Sequence, residues 1–236
     1  MKYDLEFNPD RYRVETAETE GKRLVYRAYE DLVYVKRPSA PEYQKMNIYV
    51  PEAYWEGDSI GAYDRNTAPV FLANTVGGYM PGKPEKPGNN HLGRTNTLFQ
   101  ALLHGYVAVS VGARGRGLTG EDGSFIGCAP ACIVDLKAAV RYLKYNRDRI
   151  CGSMSHIISN GTSAGGALSA LLGVTGNHPD YESFLEEAGA ACAEDDIFAA
   201  SCYCPITNLE HGDMAYEWEF NGYDNYQRMH GIRDEK

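Results

Sequence analysis

The sequence has no run of apolar residues long enough to cross a membrane, and its start, Met1-Lys2-Tyr3-Asp4-Leu5-Glu6, has no hydrophobic stretch that could act as a secretory signal. It therefore reads as a cytoplasmic chain without a membrane partner. It also has no excess of positive charge. Its 23 Lys and Arg stand against 32 Asp and Glu, a net charge of −9. A surface of that sign repels phosphate backbones, which excludes nucleic acid as the main partner. Internal repeats and low-complexity tracts are absent. None of the six cysteines (Cys128, Cys132, Cys151, Cys192, Cys202, Cys204) pairs at the C-x₂-C spacing of a zinc site. Free thiols are expected, with no metal, no cofactor and no disulfide framework. Cys202 and Cys204, two positions apart, would share one face of a strand as small core residues.

What is present is globular. Of 236 residues, 43% are hydrophobic and 11% aromatic, enough for one large domain spanning 1–236. Residues 1–22 are polar and weakly patterned. Arg23 to Tyr29 and Leu32 to Val35 are apolar runs separated by Glu30-Asp31, which reads as a hairpin. Asn47 to Val50 is a third strand. Pro69 to Ala73 and Tyr106 to Val111 are continuous apolar runs, as expected of strands covered on both faces. A helix capped by Thr95 or Asn96 lies between them. A second helix, from about Ala131 to Asn146, carries Ile133, Leu136, Val140 and Leu143 as an inward stripe. The last buried strand lies within Asp196 to Ile206, and residues 207–236 show no strand signal. Strands alternating with helices imply a parallel sheet with right-handed crossovers, made mixed by antiparallel strands at one edge. This is the order of an α/β-hydrolase.

Within that order one stretch carries chemistry: Asn160-Gly161-Thr162-Ser163-Ala164-Gly165-Gly166, between an apolar run and the start of a helix. Gly161-x-Ser163-x-Gly165 is the nucleophile-elbow pattern. A serine hydroxyl attacks only if it projects clear of the backbone, which a sharp strand-to-helix turn achieves. The flanking positions must be small because the turning chain passes close to its neighbours. The amide of Ala164, at the helix start, would face a developing oxyanion. A second amide is expected from Gly77 or Gly78, in the turn that ends the Pro69–Ala73 strand. Met80 to Arg94 reads as a rim loop, and Arg114 and Arg116 as residues that hold a loop by pairing with carboxylates or that contact an acidic substrate.

Several stretches are similar to one family. Asn74-Thr75-Val76-Gly77-Gly78-Tyr79, the helix from Ala129-Pro130-Ala131 to Tyr142, the elbow, and Tyr203-Cys204-Pro205-Ile206 through Met214-Ala215-Tyr216-Glu217-Trp218 resemble the bacterial (subtype B) tannases. These are α/β-hydrolases that cleave galloyl esters. The resemblance implies that Ser163 is the nucleophile, that Gly77 or Gly78 and Ala164 form the oxyanion hole, and that Ile206 lies beside the aromatic acyl group of a small phenolic ester. In that family the triad acid and histidine come later in the chain, after further strands and a lid. Counterparts are expected outside this chain, in a C-terminal part of the same protein, leaving the chain alone with little activity. An internal triad of Ser163, Asp195 or Asp196, and His211 keeps the right order, but both aspartates precede their strand and so sit at its wrong end. His104 reads as a last-turn helix charge, and His91 sits on the rim loop without an assigned role. The alternatives are a feruloyl or general carboxylesterase, or a non-catalytic truncated fragment that binds a partner through an unpaired sheet edge.

Overall fold

Strand-forming runs meet helical stripes in the order β1 (Arg13–Thr19), β2 (Lys22–Val33), β3 (Lys45–Pro51), β4 (Pro69–Asn74), α1 (Thr97–Leu103), β5 (Val107–Val111), α2 (Ala131–Tyr145), β6 (Ser153–Thr162), α3 (Ala164–Val174), α4 (Glu182–Ala188) and β7 (Ala199–Tyr203) in a computed structural model of the chain. It describes every residue except 1–2, 91, 207, 209, 213, 224, 229–230 and 235–236. His91, and Thr207 and Leu209 of the resemblance, lie outside the described residues. The chain divides into two units, Met1–Pro205 and Ile206–Lys236.

In the first unit the strands form one seven-stranded sheet in the order β1-β2-β3-β5-β4-β6-β7. β1, β2, β3 and β5 pair antiparallel in succession, while β5, β4, β6 and β7 run parallel. This is the mixed, mostly parallel sheet of the α/β-hydrolases. Alternate residues of β4 and β5 serve opposite faces. Ala73 and Ala108 pack with Leu98 and Leu102 of α1. Val70, Leu72, Val109 and Val111 pack with the α2 and α3 side, including Leu136, Val140 and Leu168. Asn96 caps α1 by accepting from the Phe99 amide at 3.0 Å.

Four expectations are corrected. The polar start contains β1, an exposed edge strand joined to β2 by the two-residue turn Glu20-Gly21, at φ 52° and 71°. Both values are positive, as a type I′ hairpin requires. Its outward face is polar, so its period is faint. Second, Glu30-Asp31 is no turn. β2 runs through it with a register shift between Tyr29 and Leu32, and the Asp31 amide donates to Asn47 Oδ1 at 3.0 Å. A bulge absorbs the polar pair. Third, β7 is half-exposed, with Tyr203 59% exposed, and among the described residues its only strand partner is β6. Cys204 lies past its end at φ 40° and is exposed, so it shares no buried face with Cys202. Fourth, the second unit contains α5 (Met214–Glu219) and an antiparallel hairpin of β8 (Asn225–Arg228) and β9 (Gly231–Asp234), where no strand was expected.

The α2 stripe is buried as expected, but so is the rest of the helix from Ala131 to Leu143. Its enclosed charges are all paired. Asp135 accepts from Arg114 at 2.8 Å and from Gln44 at 2.9 Å. Asp195 receives Lys137 Nζ at 2.8 Å, Arg141 Nε at 2.8 Å and the Asn177 amide at 2.8 Å. Burial alone would raise the Asp195 carboxyl; its three donors more than reverse that and hold it below its usual range. Among the described residues, no helix is long and apolar enough to cross a membrane.

Candidate active site

β6 delivers the chain to Ser163, and α3 leads away from it. Ser163 has φ 58° and ψ −119°, the dihedrals of the first central residue of a type II′ turn, a place normally held by glycine. A side chain there costs about 1–3 kcal/mol and persists only where its surroundings impose it. They do so through two backbone bonds. The Ser163 amide donates to Tyr203 O at 2.9 Å, and its carbonyl accepts from Ala167 N at 3.0 Å. The side chain is left exposed. Ala164, buried as the first residue of α3, has an amide with no acceptor within its own helix.

The glycines of the turn answer to close neighbours. A Cβ on Gly161 would lie 2.2 Å from Gly165 O and 2.6 Å from Asn74 Nδ2, and one on Gly165 would lie 2.5 Å from Asn74 Oδ1. Gly161→Ala is therefore expected to cost about 1–3 kcal/mol, because backbone must move to admit the methyl group. Thermal unfolding would show this as a melting point several degrees lower; an unchanged melting point would contradict the packing.

Facing the serine turn is the loop after β4. Gly77 is exposed with open space before it, while Gly78 and Tyr79 take positive φ, 56° and 58°. Arg116 holds this loop, with Nε donating to Gly78 O at 2.7 Å and its amide donating to Tyr79 O at 2.7 Å. Arg114 pairs with a carboxylate as expected; Arg116 instead serves this loop. Thr75, Gly77, Glu85, Thr97, Asn160 and Ser163 are among the walls of one cleft of about 350 Å³. Gly77 and Ser163 thus border the same space, whereas Gly78 is not among its walls. Ile206 begins the second unit and is 42% exposed.

The internal triad finds no carboxylate. Asp195 is consumed by Lys137 and Arg141, and Asp196 by Lys144 at 2.5 Å. His104 sits at the end of α1 with Nδ1 2.8 Å from Gln100 O, and His156 Nδ1 is 2.8 Å from Ser153 Oγ. Among the described residues, no histidine lines the Ser163 cleft. Sequence reasoning missed Glu85 and Thr97 as cleft walls, and missed Asn74. Only a polar residue closing an apolar strand could have pointed to Asn74.

Comparison with known proteins adds to this geometry. A model of the BD-FAE family matches residues 62–214. The solved structure of Fusobacterium nucleatum tannase superposes with a TM-score of 0.91 at 57% identity, covering 97% of this chain and 48% of that one. The native tannin acyl hydrolase of Lactobacillus plantarum gives 0.88 at 46% identity, covering 98% of this chain and 51% of that one. The probable carboxylic ester hydrolase LipM of Mycobacterium tuberculosis is 28% identical over 174 residues, 73% of this chain and 36% of its own length. The chain thus spans about half the length of the tannase structures it matches.

Proposed function

This chain belongs to the BD-FAE family, and from that membership we propose that it is the nucleophile-bearing part of a serine ester hydrolase acting on galloyl or related phenolic esters. The observation that carries the reading is the exposed Ser163 at φ 58° and ψ −119°, opening onto the cleft that Gly77 also borders. In this reading Ser163 Oγ attacks the ester carbonyl. The amide of Ala164 and that of Gly77, or of Gly78 beside it, receive the oxyanion. Collapse of the tetrahedral adduct expels the alcohol, and water then releases the acid from the acyl-enzyme. The histidine that takes the serine proton, and the acid that orients it, come from outside these residues.

Two observations favour this substrate class. The tannases match nearly the whole chain at 46–57% identity, and a tannin acyl hydrolase solved with ethyl gallate superposes at a TM-score of 0.88. The likeness to LipM favours a broader carboxylesterase as the second reading.

The test is methyl gallate turnover by this chain alone and after addition of the portion of the F. nucleatum tannase that it does not match. A positioned general base contributes about 10²–10⁴-fold, so the supplemented chain is expected to exceed the chain alone by at least about 100-fold. Equal and high turnover by the chain alone would overturn the external base. Faster turnover of p-nitrophenyl acetate or methyl ferulate than of methyl gallate would favour the second reading.

A further inference from the structure

We propose that Asn74 is a positioning residue that sets the gap between the serine turn and the amide loop facing it; this rests on the reading of Ser163 given above. The parallel ladder of β4 with β6 has its last paired residues at Ala73 and Asn160. Beyond that point the Asn74 side chain continues the tie. Its Nδ2 donates to Asn160 O at 3.1 Å, to Gly165 O at 3.0 Å and to Ser169 Oγ at 3.0 Å. Its Oδ1 accepts from the Val76 amide at 3.3 Å. One carboxamide thus grips the end of β6, the first turns of α3 and the root of the loop that carries Gly77.

The glycine pattern makes room for it. A Cβ on Gly165 would lie 2.5 Å from Asn74 Oδ1 and 2.8 Å from Val76 O, and one on Gly161, already 2.2 Å from Gly165 O, would also lie 2.6 Å from Asn74 Nδ2. The spacing of the elbow is therefore matched to a residue far upstream in the chain. Asparagine suits the place because the oxygens on one side need a donor and the Val76 amide needs an acceptor. Aspartate would keep the acceptor but set a negative charge against the Asn160 and Gly165 carbonyls. Hydrolysis depends on both oxyanion amides meeting one oxygen, and a misplacement of about 1 Å costs on the order of 100-fold in rate.

Asn74→Asp and Asn74→Ala are tested in the supplemented enzyme described above. Both are expected to lower kcat for methyl gallate about 100-fold at pH 7 with KM little changed. Between pH 7 and pH 5 the Asn74→Asp variant is expected to recover relative to wild type, since the introduced carboxyl regains an O–H donor on protonation. The Asn74→Ala variant is expected not to recover. Amide exchange should quicken in residues 75–80 and 160–169 but not in α2. Wild-type kcat in Asn74→Asp at pH 7 would overturn the proposal, as would faster exchange spread evenly over the whole sheet. Full turnover by Ser163→Ala would instead sink the reading of the site, and the exchange pattern would then decide alone whether Asn74 ties the two segments.

Discussion

Ser163→Ala is expected to reduce methyl gallate turnover by the supplemented enzyme about 10⁴–10⁶-fold and to abolish labelling by a fluorophosphonate probe. Without Oγ no acyl-enzyme forms. What remains is the rate enhancement from binding and from the oxyanion amides, of the order of 10³–10⁴ over water. Stability should move little, because alanine inherits the same strained backbone at φ 58°. Ser163→Gly separates the two effects. It removes the same hydroxyl but relieves a conformation that glycine adopts freely, so it should be inactive and more stable by about 1 kcal/mol. Retention of activity within tenfold by either variant would mean that the serine does not carry the chemistry. Loss of activity together with loss of fold in both would mean that its role is structural.

The second large effect lies away from the cleft. Asp195→Ala removes the counter-charge of Lys137, whose side chain is fully buried, and one of the two carboxylate partners of Arg141. Breaking a buried pair from one side costs about 3–5 kcal/mol, because an uncompensated charge remains inside. Against a total stability of about 5–15 kcal/mol this is a fall of roughly 6–20 °C in melting temperature. Arg141 keeps Glu182, at 2.7 Å. Lys137→Met combined with Asp195→Leu removes both members and should recover most of the loss. A single variant as stable as wild type would show that the pair is solvated.

The same group gives a pH dependence whose sign is determined. The Asp195 carboxyl lies lower in the folded chain than its ordinary value, as does that of Glu182, held chiefly by its hydrogen bonds from Arg141. A depressed folded pKa stabilises above the unfolded value, and that stability drains away as pH falls through the folded one. Denaturant midpoints should therefore hold from neutral pH to about pH 4.5 and decline below about pH 4. In Asp195→Ala the decline should be shallower.

Ser163, Gly77 and Ala164 were legible as candidates because their signal is local. The spacing of the elbow and a Gly-Gly pair after a buried strand are each written within seven consecutive residues. The buried strands β4 and β5 and the stripe on α2 were legible for the same reason, since period and continuity need no knowledge of partners. β1 was missed because it lies exposed at the sheet edge, where its polar face blurs the alternation. The bulge at Asp31 was read as a turn because a polar interruption of an apolar run looks the same in both cases. The apolar stripe on α2 carries no information about Asp135, Lys137 and Arg141, which lie between its members. Burial of their positions depends on Gln44, Arg114, Glu182 and Asp195, which arrive from elsewhere in the chain.

The sequence by itself therefore determined the class of fold, the order of strands and helices from β3 to β7, and the position of the serine turn, because each is encoded in neighbouring residues. Tertiary structure alone decided that Asn74 lies against the glycines of the serine turn, that Gly77 is a wall of the serine cleft while Gly78 is not, and that Asp195 is the buried counter-ion of Lys137 and Arg141. Those outcomes depend on which distant atoms come within hydrogen-bonding reach, and only the folded chain brings them there.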